Sequence, residues 1–200
     1  MNYLAHLYLS GEDEKIMVGN FIGDYIKGNK FLKFPAEIQK GILIHRNIDT
    51  FTDNHPKFKE AKRFLQAEFG LYSAVIIDLF YDHLLAVNWS LYSEVSLQEF
   101  TRKVHTVLLS HFYYLPERVQ RFLPSLIQNR RLESYAGREG IQKSMEIMSR
   151  YTSLPSNAEK AMQILHENID FFTGNFAFFM QELTHYVETD FCIAIKKPGD

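Results

Sequence analysis

The segment YSAVIIDLFYDHLLAVNW, Tyr72 to Trp89, constrains the fold more than any other part of the chain. At helical period it is apolar around nearly its whole circumference, the pattern of a helix enclosed by other elements. It nevertheless carries Asp78, Asp82 and His83, with the two carboxylates at i and i+4 on one face. Carboxylates in such surroundings are expensive unless an arginine, a protonated histidine or a metal ion faces them. The chain must therefore wrap this helix in others and bring compensating charge to its centre.

The remaining sequence supplies the wrapping. A helix is expected from about Glu12 to Lys27, with Ser10 and Asp13 in capping-box spacing and a stop at Gly28-Asn29. A second should start near Pro35 and run to about Asp53, and a third, KFKEAKRFLQAEFG, should close on Gly70. Ser96 and Glu99 form a capping box before a helix reaching about Tyr113. Helices over Pro116 to Asn129, Gly137 to Tyr151 and Ala158 to Phe191 complete the set, while the first ten residues fit either a strand or a helix. No hairpin, repeat or low-complexity linker interrupts the pattern. The expectation is one all-α domain over residues 1–200, a bundle of about eight helices. The aromatic tail IDFFTGNFAFFMQELTHY reads as core packing in that bundle, with the lining of a ligand groove as the alternative.

Composition narrows the function classes. A net charge of −2 removes any global electrostatic case for nucleic-acid binding. One cysteine, Cys192, permits no internal disulfide, which fits a reducing cytoplasm. The N-terminus lacks a basic leader, and no apolar run approaches the roughly 20 residues that span a bilayer. The expectation is a soluble, cytoplasmic protein that binds neither nucleic acid nor membrane.

Chemistry concentrates in HRNIDTFTDNHP, His45 to Pro56. On a helix His45, Asp49 and Asp53 advance by about 40° per step, and Arg46 falls within the same arc of about 100°. Ile44, Ile48 and Phe51 form the adjoining apolar stripe, so the arc faces inward. Asn20 and Asp24 repeat the i, i+4 spacing beside Gly19 and Gly23. Those glycines weaken a helix by about 1 kcal/mol each relative to Ala, which predicts close approach of their backbone to a neighbouring element. His6 can join the group, although a lone histidine also reads as a satisfied core residue. Mixed His/Asp sets suit Mn²⁺, Fe²⁺, Zn²⁺ or Mg²⁺, and the lack of a cysteine cluster argues against structural zinc. Such an ion orients a phosphate and lowers the pKa of bound water, with Arg46 as the expected phosphate clamp. A polar core neutralised by Arg46 alone is the competing reading.

The words MNYLAHLYLS, GNFIGDYIKG, GILIHRNIDTFTDNHP and DLFYDHLLAVNW resemble, in order and spacing, the acyl carrier protein phosphodiesterase family over roughly the first ninety residues. The resemblance implies a cytoplasmic hydrolase, similar to HD-type metal phosphohydrolases and using manganese. It would cut 4′-phosphopantetheine from holo-acyl carrier protein to give the apo form. By the same resemblance Asp24, His45, Asp82 and His83 are the expected metal ligands, with Asp82-His83 reversing the usual His-Asp order. Asp24, Arg46, Asp49 and Asp53 are then the expected catalytic residues, and His6, Asn20, Asp78 and His55 the supporting or substrate-contacting ones. Acyl carrier proteins are strongly acidic, so a basic docking surface is expected. Lys57, Lys59, Lys62 and Arg63 are the first choice, ahead of Lys27, Lys30 and Lys33 and of Arg118, Arg121, Arg130 and Arg131. Two other readings stay open: hydrolysis of a small phosphoester or nucleotide, and a non-catalytic binding protein with an ion-paired polar core.

Overall fold

A computed structural model describes residues 2–151, 155 and 157–199. Among these, eleven α-helices occur and no strand, which bears out the all-α expectation. In chain order they are α1 (Tyr3–Tyr8), α2 (Glu14–Ile22), α3 (Ala36–Asn54), α4 (Pro56–Phe69), α5 (Ser73–Val87), α6 (Leu97–Ser110), α7 (Glu117–Gln128), α8 (Arg131–Ser134), α9 (Arg138–Tyr151), α10 (Ala158–Glu167) and α11 (Ile169–Phe191).

The enclosed helix is α5. Ile76, Ile77, Leu79, Phe80, Leu84 and Leu85 are all buried, and α1, α4, α9 and α11 pack around it. The helical span Pro56–Val87 is divided at Gly70, whose φ of +50° L side chains avoid, so α4 and α5 pack against each other as two rods. The aromatic tail is core: Phe172, Phe176 and Phe179 are buried against Phe80 and Tyr81.

Several element ends differ from expectation for local reasons. The first ten residues are helical, because Asn2 caps α1 and Asp82 receives its next two free N–H groups. Asp13, not Ser10, caps α2 through Lys15 and Ile16. That helix stops at Ile22, and a 3-10 turn over Gly23–Tyr25 carries Asp24. Residues 158–191 divide in two at Asn168, whose side-chain amide donates to Ile164 O at 2.9 Å. The capping box at Ser96 and Glu99 forms as predicted. The LPSN segment that leads into α10 lies partly outside the described residues.

The contact that positions the site is the crossing of α2 over α3. A Cβ on Gly19 would stand 2.2 Å from Ile38 O, and one on Gly41 would stand 2.2 Å from Ile16 O. The backbones touch where both side chains are absent. Gly23 plays a related part, since a Cβ there would fall 2.3 Å from Cγ of His45. The predicted close approach at Gly19 and Gly23 is therefore met, with Gly41 as the unforeseen partner. Gly41→Ala should cost about 3 kcal/mol or more, because the clash is with backbone that cannot rotate away. Urea unfolding followed by circular dichroism checks this, and a loss below about 1 kcal/mol would contradict the tight crossing.

Candidate metal centre at the crossing of three helices

At the crossing, His6 of α1 and His45 of α3 stack with ring centroids 4.0 Å apart and an interplanar angle of 20°. Both are buried. One residue of α2 orients the pair. Asn20 gives both side-chain N–H groups away, to His6 O at 2.7 Å and to Ser10 Oγ at 3.0 Å. Its Oδ1 is consequently an acceptor, and His6 Nδ1–H donates to it at 2.9 Å. The main-chain carbonyl of Asn20 accepts from His45 Nδ1–H at 2.8 Å. With both Nδ1 atoms acting as donors, each neutral imidazole carries its lone pair on Nε2.

Both Nε2 atoms point at Asp49. His6 Nε2 lies 3.2 Å from Asp49 Oδ1, and His45 Nε2 lies 3.3 Å from Asp49 Oδ2. Asp24 approaches from the solvent side, its Oδ1 3.4 Å from His45 Nε2. Neither Nε2 makes an aligned hydrogen bond, although both atoms are buried. His6, His45 and Asp49 offer ligand atoms all within 4.8 Å of one another. Two lone pairs and a shared carboxylate fit a divalent cation that accepts mixed nitrogen and oxygen ligands. A carbonyl holding each Nδ1–H is the usual support of a metal-bound histidine.

The electrostatics of the ion-free cluster are lopsided. Burial lowers His6 to about 4, and the neighbouring His45 adds to the effect. Burial also opposes charge on His45, but the carboxylates of Asp24 and Asp49 outweigh it and lift the group to about 9. For Asp49 burial acts upward, yet the two imidazoles outweigh it and hold the carboxyl well below its ordinary range. Asp24 is lowered chiefly by His45. Stacked rings cannot readily both be charged, so a single proton on His45 serves the pair without an ion.

The sequence-predicted residues divide sharply. Asp24, His45, Asp49, Asn20 and His6 converge, with His6 in direct contact with Asp49 and not in a supporting place. Asp82 does not join them. Its Oδ2 and Oδ1 accept from Leu4 N–H at 2.8 Å and Ala5 N–H at 3.1 Å, so it anchors the start of α1 and thereby places His6. Burial raises its carboxyl to about 7 despite those two bonds. His83 donates Nδ1–H to Tyr135 O at 2.7 Å, outside the cluster. Arg46 is no free phosphate clamp, since its Nη2 donates to Ile26 O at 2.7 Å and Gly28 O at 2.8 Å, with the guanidinium over Phe31. His55 caps α4 through Lys57 N–H and donates Nε2–H to Glu182 at 2.6 Å. Asp53 is exposed, a turn beyond Asp49, and burial raises Asp78 on α5. Ser10 is the functional neighbour missed in the sequence. It sits four residues after His6 and donates to His6 O at 2.8 Å, a spacing that signals the contact once α1 is known to be helical.

The first-choice basic cluster follows the C-terminal end of α3. Ten residues separate His45 from His55, about 15 Å of helix axis. Lys57 there is paired with Glu60 at 3.0 Å, and Lys62 lies over the Phe58 ring.

Comparison with known proteins agrees with the resemblance in the motifs. The family model described as acyl carrier protein phosphodiesterase matches residues 1–183, well beyond the ninety residues that carry recognisable words. The chain is 35% identical to the acyl carrier protein phosphodiesterase of Yersinia pestis over 137 residues, 68% of this chain and 71% of that protein. It is 33% identical to the one from Enterobacter sp. (strain 638) over 150 residues, 74% of this chain and 78% of that protein. With the one from Klebsiella pneumoniae (strain 342) the identity is 29% over 189 residues, 94% of this chain and 98% of that protein. No solved structure matches.

The split between the two imidazoles predicts opposite pH limbs for stability of the metal-free protein. His45 rises from 6.5 to about 9 on folding, so its contribution is complete below 6.5 and disappears as pH climbs through 9. His6 falls from 6.5 to about 4, so its contribution is present above 6.5 and is lost as pH drops towards 4. Urea midpoints measured across this range should decline on both sides. His45→Gln should flatten the alkaline limb and His6→Gln the acid limb, whereas unchanged limbs would refute the assignment.

Proposed function

Because this chain belongs to the acyl carrier protein phosphodiesterase family, we propose that it hydrolyses the phosphodiester joining 4′-phosphopantetheine to a serine of holo-acyl carrier protein. The products are apo-acyl carrier protein and free 4′-phosphopantetheine. The observation that carries the metal-dependent form of this reading is the pair of buried Nε2 atoms turned towards one carboxylate.

A divalent cation, with Mn²⁺ preferred and Mg²⁺ or Fe²⁺ as alternatives, would be held by His6, His45 and Asp49 with Asp24 at the open side. When bound, such an ion polarises a phosphoryl oxygen and lowers the pKa of water towards 7. The protein's own groups do the rest. Asn20 fixes both imidazoles so that neither must reorient when substrate arrives. Buried side chains close the site behind the rings, and the half-exposed carboxylates face the substrate. Asp24 is kept ionised by His45 and is the outermost member, placed to take the proton from the attacking water. As the P–O bond to the serine breaks, water contributes hydroxyl to phosphorus and a proton to the serine oxygen.

One observation favours a second reading. His45 lifted to about 9 between Asp24 and Asp49 is a self-sufficient ion-paired centre, which a non-catalytic helical binding protein could keep for stability alone. A small phosphoester as substrate would use the same residues as the first reading.

Purified protein incubated with holo-acyl carrier protein and Mn²⁺ should reduce the carrier's mass by that of the prosthetic group, and chelator should stop this. Asp24→Ala and His45→Ala should each lower turnover by at least about 10³-fold with the helical circular dichroism signal preserved. Mn²⁺ should raise the melting temperature of the wild type but not of His45→Ala. Absence of both mass loss and thermal stabilisation would select the ion-paired reading. Hydrolysis of small phosphodiesters without mass loss would select the small-substrate one.

A further inference from the structure

The open side of the cluster poses an electrostatic problem. Asp24 and Asp49 line it, with side chains 66% and 40% exposed, and the only arginine on α3 is occupied by backbone carbonyls. A bound divalent cation would only balance those two carboxylates, so the mouth itself offers an acidic protein no net attraction. Long-range attraction must come from cations that flank the opening.

Two exposed cations do flank it. Lys27 follows Asp24 by three residues and sits between Ile26 and Gly28, the two residues whose carbonyls Arg46 holds. On the other side Arg118 of α7 lies over the ring of Tyr25, the residue next to Asp24, with its guanidinium carbon 5.8 Å from the centroid. Tyr25 is itself fixed, its hydroxyl 2.6 Å from that of Tyr3 and its ring packed beside Phe122. Among the described residues no ion pair involves Lys27, Lys30, Lys33 or Arg118.

The segment that continues from Lys27 has the features of a contact surface. The 3-10 turn Gly28–Lys33 exposes Lys30 and Lys33 and, between them, Leu32, which is 61% exposed. An apolar side chain set among cations in a short turn suits the centre of a small protein contact. The turn is also held in shape from beneath. Gln39 of α3 donates to Phe34 O at 2.8 Å, and Arg46 secures its start while lying over Phe31. A preformed surface loses less entropy on binding than a flexible loop.

We propose that the turn from Lys27 to Lys33, together with Arg118, is the docking surface for an acidic protein that presents its phosphodiester to the adjoining cluster. This rests on the proposed function for the identity of the partner, but the surface itself is assigned by position and charge. It replaces the Lys57–Arg63 cluster, which lies at the other end of α3. It also gives the C-terminal half of the chain a part in recognition, through α7.

Binding of fluorescently labelled apo-acyl carrier protein, followed by anisotropy at low and high ionic strength, tests the surface without depending on turnover. The double variant Lys27→Glu/Arg118→Glu should weaken binding at least about tenfold at low salt and flatten its salt dependence. Leu32→Ala should weaken it with the salt dependence kept. The matched variant Lys59→Glu/Arg63→Glu should bind within about twofold of wild type. Retained thermal stabilisation by Mn²⁺ in Lys27→Glu/Arg118→Glu would show that the cluster is intact, and thus that the loss is one of docking. Wild-type affinity in Lys27→Glu/Arg118→Glu, or a larger loss in Lys59→Glu/Arg63→Glu, would overturn the proposal. Failure of the proposed function would show separately, as no change in mass of the holo carrier.

Discussion

Everything at the candidate centre depends on how closely α2 and α3 approach. Helices with ordinary side chains at the contact pack with axes about 8–10 Å apart. Here Gly19 and Gly41 remove both side chains at the crossing, so main chain meets main chain. That proximity lets the carbonyl of Asn20, a backbone atom of α2, accept a hydrogen bond from a side chain of α3. One turn along, Gly23 vacates the space that the ring of His45 fills. The helix-weakening glycines are thus the means by which an imidazole is buried and oriented.

Charge compensation is arranged around the same contact. Asn20 collects N–H donors from two rings and returns two of its own to the α1 segment, leaving no buried polar atom of its side chain unused. Asp82 extends the arrangement to the enclosed helix, since its carboxylate meets the first free N–H groups of α1, where the helix dipole favours negative charge. The acid that seemed to require a cation has a helix end instead, although burial still lifts its carboxyl to about 7. Arg46 likewise serves the backbone, securing the loop that bears Asp24 and Lys27.

Fold class and most helix positions were legible because apolar periodicity and capping residues are local signals. The convergence of Asp24, His45, Asp49 and Asn20 was legible too, from i, i+4 spacing on faces that had to be inward. What sequence could not supply was which buried acid meets which donor. Asp82 and Asp49 look alike along the chain, and only the position of α1 separates a helix anchor from a cluster member. His6 was undervalued for the same reason, since six residues form a helix here only with tertiary support. The break at Asn168 was hidden because a single asparagine bonding its own helix leaves no compositional mark.

The seating of the His45 ring against Gly23 has a mechanical consequence. A ring seated in the volume of an absent methyl group lies hard against the α2 backbone with its Nδ1 tied to Asn20 O, and its stacked neighbour is braced by the Asn20 side chain. The nitrogen side of the centre behaves as a fixed wall. Any accommodation of differently sized ions or of a bulky ester must come from the carboxylate side, where Asp24 rides on a one-turn 3-10 segment at the solvent boundary. Compliance is therefore confined to a single flank, the one from which a ligand must enter.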